Sequence, residues 1–152
     1  MIQDSREHFI KQNDIGKAGE EVVAGFLEAR GNTILEKAGN NYFPDYDLKI
    51  LTKLGYELTF EVKTDTSKYA NVAIEFKSRG KPSGIYSTKA DMYAIYFESE
   101  GAVYVADTGR LRLWILENSP AIKKNTYNDS ETFLFLIPKE KFIEEFTRYA
   151  IN

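Results

Sequence analysis

Two alternating runs, Tyr46–Leu51 and Tyr56–Lys63, are separated only by Thr52-Lys53-Leu54-Gly55. A short link ending in glycine between strand-like runs predicts a β-hairpin. This hairpin constrains the chain most, because the period of two in a strand decides which side chains share a face. Glu61 and Lys63, two residues apart, share one. A turn centred on Leu54 or Gly55 sets Asp47 opposite Glu61 or Lys63 on the same face. Asp45, which completes a literal Pro44-Asp45, is the rival acid, but it opposes Glu61 only if the turn centres on Lys53; Asp47 is therefore preferred. Converging carboxylates, with the Val62 carbonyl as a further oxygen, suit Mg²⁺ or Mn²⁺. A lysine beside them can orient water or stabilise charge building on a phosphate. Alone, Glu-x-Lys has the same pattern as a surface ion pair on an exposed strand, and Asp45 and Asp47 would also serve to keep an edge strand soluble.

Around the hairpin the chain reads as a mixture of helices and strands. From Ile15 to Arg30 the residues Ala18, Val22, Val23, Phe26 and Leu27 fall at helical spacing, with Asp14 placed to cap the start and Gly31 to stop it. Asn71–Phe76 reads as a strand, 77–84 as a loop, and Thr88–Met92 as a short helix. Tyr93–Glu98 and Ala102–Ala106 read as strands with Gly101 between them, and Thr108–Glu117 as a helix. Thr132–Ile137 reads as a final strand, after which Pro138 opens a helix over Lys139–Tyr149. The Asn-rich 125–130 stretch reads as a long loop. No repeat or linker divides the 152 residues, so one domain spanning 1–152 is expected.

Composition removes several chemistries. Without cysteine there is no disulfide, no thiolate zinc site and no cysteine nucleophile. His8 is the single histidine and is expected in a loose terminus, which leaves histidine-based nucleases and a His-containing triad without support. Gly16–Gly19 lacks the preceding strand and following Lys-Ser/Thr of a phosphate-binding loop. Trp114 and the apolar residues around it read as core. The start, MIQDSREHFIKQND, has no apolar signal core, and no stretch approaches the ~18 apolar residues of a membrane span, so a cytoplasmic protein without a membrane partner is expected.

The net charge of −3 argues against indiscriminate coating of nucleic acid. The charge is nevertheless unevenly distributed. Between Val62 and Ala90 stand Lys63, Lys68, Lys77, Arg79, Lys81 and Lys89, against Asp65 and Glu75 alone. The Gly/Ser/Lys/Arg stretch offers Lys77, Arg79, Lys81, Ser83 and Lys89 as phosphate contacts, and Glu75 as an accessory acid.

Gly16-Lys17-Ala18-Gly19-Glu20, then Leu27-Glu28-Ala29-Arg30-Gly31, then Asp47-Leu48, then Phe60-Glu61-Val62-Lys63-Thr64 resemble, in order and spacing, the PD-(D/E)XK nuclease superfamily. The pattern is similar to that of its small members related to Holliday-junction resolvases and bacterial restriction-like endonucleases, and covers roughly the first half of the chain. The 71–91 stretch resembles segments of phage-borne proteins of the same superfamily. The resemblance implies an α/β, restriction endonuclease-like fold, a mixed central sheet flanked by helices. It implies Glu20, with Glu21 as competitor, as a helix acid near the metal, Asp47 and Glu61 as metal ligands, and Lys63 facing the attacking water. The implied activity is Mg²⁺- or Mn²⁺-dependent hydrolysis of DNA by an endonuclease in a bacterial or phage-infected cell. Cutting both strands would call for a homodimer. The alternatives are a Holliday-junction resolvase or homing-type endonuclease, and a catalytically silent DNA-binding module.

Overall fold

The computed structural model describes residues 5–38 and 45–151, residues 5–10 by their backbone alone. The first element, α1 (Ser5–Ala29), begins well before Asp14. Arg6, Glu7, Lys11 and Gln12 are good helix formers, so the polar start extends the helix; Asp14 lies inside it and His8 lies on it. The other end follows expectation. Gly31 takes φ +91°, its N–H donates to the Glu28 carbonyl at 2.9 Å, and the Asn32 N–H donates to the Leu27 carbonyl at 3.1 Å. This paired closure satisfies the last helical carbonyls.

Ten strands follow among the described residues: β1 (Thr33–Lys37), β2 (Leu48–Leu51), β3 (Glu57–Asp65), β4 (Asn71–Ser78), β5 (Lys81–Pro82), β6 (Met92–Phe97), β7 (Ala102–Asp107), β8 (Ala121–Tyr127), β9 (Ser130–Pro138) and β10 (Thr147–Ala150). Helix α2 (Thr108–Asn118) follows β7, and α3 (Lys139–Glu145) follows β9. Six strands form a central sheet in the order β1-β2-β3-β6-β7-β10, mixed because β3 and β6 run parallel while the other pairs are antiparallel. The expected α/β class with a mixed central sheet is the architecture found. A second sheet, β5-β4-β9-β8, was not foreseen.

The central sheet lies between two apolar layers. Phe60 and Val62 pack with Val23, Ala24 and Leu27 of α1. On the opposite face Tyr93, Ile95 and Phe97 pack with Val72, Ile74, Phe135 and Ile137 of the second sheet, with Leu111 and Ile115 of α2, and with Phe142 of α3. Trp114 packs against this layer as core. Each fully buried side chain of this size contributes about 1.5–3 kcal/mol. No helix among the described residues is long and apolar enough to cross a membrane.

The departures from expectation have local causes. Strand β1, missed as a short exposed edge strand, pairs with β2. The 77–84 loop is an extension of β4, a tight turn at Arg79 (φ 52°) and Gly80 (φ 77°), and β5. The 125–130 loop is the tip of the β8–β9 hairpin, turned by Asn128 (φ 46°) and Asp129 (φ 62°). Asn and Asp tolerate the left-handed conformation that such two-residue turns require. In place of a helix over Thr88–Met92, a single 3₁₀ turn occupies Gly84–Tyr86 and Met92 already begins β6. Helix α3 stops at Glu145, and the strand-favouring Thr147 and Tyr149 join the sheet against β7 as β10.

Candidate active site

The hairpin register is Leu48 opposite Phe60 and Ile50 opposite Leu58, which centres the turn on Leu54. Strand β3 outruns its partner: β2 starts at Leu48, whereas β3 continues to Asp65. Asp47 occupies the notch so formed. Its N–H donates to the Phe60 carbonyl at 2.8 Å, and its own carbonyl accepts from the Ala38 N–H at 2.8 Å. Its side chain then takes the place of the missing strand, with Oδ2 accepting from the Val62 N–H at 2.8 Å. The Val62 carbonyl leaves β3 on the same side as its N–H.

Glu61 and Lys63 point to the face of β3 away from α1. Glu61 pairs with Tyr93 across the parallel β3–β6 ladder, and Lys63 with Ile95. The Lys63 ammonium lies 3.3 Å from Glu61 Oε2; the lysine side chain is 42% exposed and the glutamate 15%. The pair is thus more open to solvent at the lysine than at the glutamate.

Glu20 comes from α1, which packs on the opposite face. The helix approaches closely because residue 19 is glycine: a Cβ there would fall 1.7 Å from Thr64 Oγ1. The charge of Glu20 acts on Asp47, and that of Glu61 acts on Glu20. Glu21 points elsewhere, pairing with Lys37 of β1 at 3.2 Å. Asp45 lies outside the notch, its carboxylate 3.7 Å from the Lys89 ammonium. Asp47, Glu61 and Lys63 therefore stand at adjacent positions of the hairpin, Glu20 is near enough for its charge to act on Asp47, and Glu21 and Asp45 are paired with other lysines.

The group is electrostatically loaded. Burial lifts the Asp47 carboxyl to about 7, the Glu61 and Glu20 charges adding to the rise while the Val62 N–H and Lys63 oppose it. Burial, then the charges of Glu61 and Glu21, also raise Glu20. Burial works against the Lys63 ammonium, but Tyr93, Glu61, Glu75 and Asp47 outweigh it and hold the lysine above its ordinary value. Three acids crowded against one lysine are short of positive charge, and a hard divalent cation bound by carboxylate oxygens would supply it. The carboxylate and carbonyl oxygens of Asp47, Glu61, Val62 and Glu20 are of the type that Mg²⁺ or Mn²⁺ would take. Among the described residues no group of three or more His, Cys, Asp or Glu side chains is placed to hold a metal ion, and Glu61 is held by Lys63.

Two further residues bear on the site. Tyr93, only 1% exposed, lies beside Glu61 on β6, and burial raises its phenol, with the Lys63 charge opposing. Its sequence context, Met92–Phe97, reads as uniform core, so nothing there marked it out. Glu75 sits where β4 bulges between Glu75 and Lys77. A bulge turns a side chain out of strict alternation, and Glu75 contributes to the field at both Lys63 and Tyr93. Gly84 (φ 52°) locks the bulge, since a Cβ there would lie 2.2 Å from the Glu75 carbonyl oxygen.

A strand-end notch of acids and one lysine, on a mixed sheet backed by a long helix, can be compared with known folds. A bacterial homing endonuclease shares this fold. The two structures align with a TM-score of 0.50 over 64% of this chain and 70% of that one, at 19% sequence identity. The sequence matches no protein-family model and no curated protein. At this identity the likeness is one of fold, a nuclease-like one.

The basic residues are spread over the second sheet and the segment before β6. Lys77 lies on β4 with its ammonium 5.5 Å from the centre of the Phe133 ring, Arg79 forms the turn, and Lys81 is on β5. Lys89 sits against Asp45. Ser83 Oγ is buried without a hydrogen-bond partner, which withdraws it from any phosphate-facing surface.

Proposed function

We propose that this chain is a divalent-metal-dependent nuclease of the PD-(D/E)XK type that hydrolyses phosphodiester bonds in DNA. The observation that carries the reading is the crowding of Asp47, Glu61 and Glu20 around Lys63 in the notch left by β2, where burial and repulsion lift Asp47 to about 7. A surface ion pair has no reason to gather three acids in one half-buried place. The fold shared with a bacterial homing endonuclease supports a nuclease, and an endonuclease in particular.

Asp47 and Glu61 would hold the cation, with the Val62 carbonyl and Glu20 as further oxygen donors. Bound Mg²⁺ or Mn²⁺ supplies a Lewis acid for the phosphate and lowers the pKa of a coordinated water. Asp47 is fixed for this role by the Val62 N–H, which leaves its second oxygen available. Lys63 would orient the attacking water and stabilise the negative charge developing on the phosphate. Lys77, Arg79, Lys81 and Lys89 carry the phosphate backbone past the notch. One site makes one cut, so cleavage of both strands proceeds through a homodimer.

The test is incubation of wild type and Lys63→Ala with supercoiled plasmid, linear duplex, branched junctions, single-stranded DNA and RNA, in Mg²⁺ or Mn²⁺. Metal-dependent nicking by wild type alone is expected. Identical behaviour of the two proteins on every substrate overturns the reading. Metal-independent binding that survives Asp47→Asn but weakens in Arg79→Ala and Lys81→Ala would instead identify a DNA-binding module.

A further inference from the structure

Asp47 is anchored by more than its own strand. The segment 85–91, which returns the chain from the second sheet to β6, reaches across to the start of the hairpin. The Lys89 N–H donates to the Asp45 carbonyl at 3.1 Å, and Thr88 Oγ1 donates to the same carbonyl at 3.4 Å. Asp45 is two residues from Asp47, so the position of this segment sets where the strand enters the notch. Ile85, Thr88 and Ala90 of the segment lie inside the protein, while Tyr86, Ser87, Lys89 and Asp91 between them are exposed.

The segment is gripped from α2. Arg112 Nε donates to the Ile85 carbonyl at 2.8 Å, and its Nη2 donates to the Thr88 carbonyl at 2.6 Å. Next to it on the helix, Leu111 is fully buried and fixes α2 against the core. The grip has a second point, because the Thr108 N–H at the start of α2 donates to the Asp91 carbonyl at 2.9 Å. Asp91 in turn accepts from the Thr59 N–H of β3 at 2.9 Å. Helix α2 therefore holds the segment at both ends, and the segment holds both strands of the hairpin.

Both Arg112 contacts go to backbone carbonyls. A partly buried guanidinium placed on two carbonyls three residues apart is suited to hold their spacing, because its donors form a rigid fork. A lysine ammonium, a point charge on a flexible stem, cannot hold both in the same geometry.

We infer that Arg112 is a positioning residue for the Asp47 notch, acting through Ile85, Thr88 and Asp45. Its functional consequence rests on the nuclease reading, but the positioning itself does not. Arg112→Ala releases the two carbonyls, the 85–89 segment loosens, and Asp47 loses the register that lets it accept from Val62 and present its second oxygen to a cation.

The experiment compares wild type, Arg112→Ala, Arg112→Lys and, as a control on the same helix, Arg110→Ala, which breaks the exposed pair with Glu145 and the contact with the Phe146 ring but touches neither the 85–91 segment nor the hairpin. Amide hydrogen exchange is read residue by residue without metal, and Mn²⁺ affinity and kcat against KM are read with it. In Arg112→Ala, exchange at the Lys89 and Val62 amides is expected to rise at least tenfold, while amides of the β8–β9 hairpin stay as in wild type. Mn²⁺ affinity is expected to fall about tenfold, the size seen when a partner outside the ligand shell is lost, and kcat to fall with little change in KM. Arg112→Lys should recover only part of the protection, and Arg110→Ala should match wild type. Unchanged exchange at Lys89 and Val62, or an equal rise at every amide, overturns the inference. If wild type binds no Mn²⁺ and cuts nothing, the nuclease reading falls, and the exchange pattern still decides whether Arg112 positions the notch.

Discussion

Gly19 and Thr64 touch so closely that a Cβ on residue 19 would lie 1.7 Å from Thr64 Oγ1, and that hydroxyl is buried without a hydrogen-bond partner. This contact lays α1 against β3 and delivers the next residue, Glu20, to the acids. Gly19→Ala is expected to cost about 1–3 kcal/mol, as overpacking of a fixed contact does. Thr64 is stiff at its first torsion and cannot simply swing aside. Adding Thr64→Ala should recover much of the loss, because it removes the atom that clashes. A double-mutant cycle by chemical denaturation checks this, and simple additivity would show that the two residues are not in contact.

Asp47 makes stability depend on pH in an unusual direction. A carboxyl whose folded pKa is about 7, against about 3.9 when unfolded, binds its proton more tightly in the folded chain. Its contribution is therefore fully present below about pH 4 and is lost as the pH rises to about 7. Glu20, also raised, acts in the same sense. Thermal midpoints of metal-free protein should fall across that window, and Asp47→Asn should flatten the fall and raise the midpoint at pH 8. A wild-type midpoint that climbs between pH 4 and 7, with no gain in Asp47→Asn, would contradict the crowded-acid description.

The proposed nuclease gives Lys63 two roles that one substitution separates. Its ammonium holds Glu61 at 3.3 Å when no cation is bound, so Lys63→Gln frees that carboxylate and should leave Mn²⁺ affinity equal to or tighter than wild type. Turnover should nevertheless drop about 10²–10⁴-fold, the usual scale for removing a group that assists proton transfer or charge development. Isothermal titration beside a plasmid-nicking time course makes the comparison.

Gly84 fixes the bulge that turns Glu75 toward Lys63. Gly84→Ala places a methyl group 2.2 Å from the Glu75 carbonyl in a left-handed conformation (φ 52°), and the backbone strain alone costs roughly 1–3 kcal/mol. Urea denaturation should show a loss at least that large. A neutral result would mean that the bulge relaxes.

The level of Asp47 against Glu61 was legible because a strand hairpin is a strict ruler. Once the turn centre is Leu54, the level of Asp47 relative to Glu61 follows from counting, and the mixed α/β class follows from the alternation of helical and strand-like runs. What could not be read was produced by contacts distant in sequence. The pairing of Glu21 with Lys37, which separates it from Glu20, depends on β1, an exposed strand with weak alternation. Tyr93 is hidden in an apolar strand because its site-facing character exists only once β6 lies beside β3. The second sheet was missed at its turns, where Arg79-Gly80 and Asn128-Asp129 have the composition of loops but the backbone of tight hairpins. The Arg112 grip joins α2 to a segment with no regular pattern, and no local signal announces it.

The central claim is that Asp47 and Glu61 together hold a divalent cation, and the most direct measurement is Mn²⁺ binding followed by electron paramagnetic resonance at pH 8. Wild type is expected to bind saturably, with affinity rising as the pH passes about 7, where Asp47 loses its proton. Asp47→Asn and Glu61→Gln should each abolish the bound signal while remaining folded. Failure of wild type to bind Mn²⁺, or binding that both variants retain in full, would contradict the account.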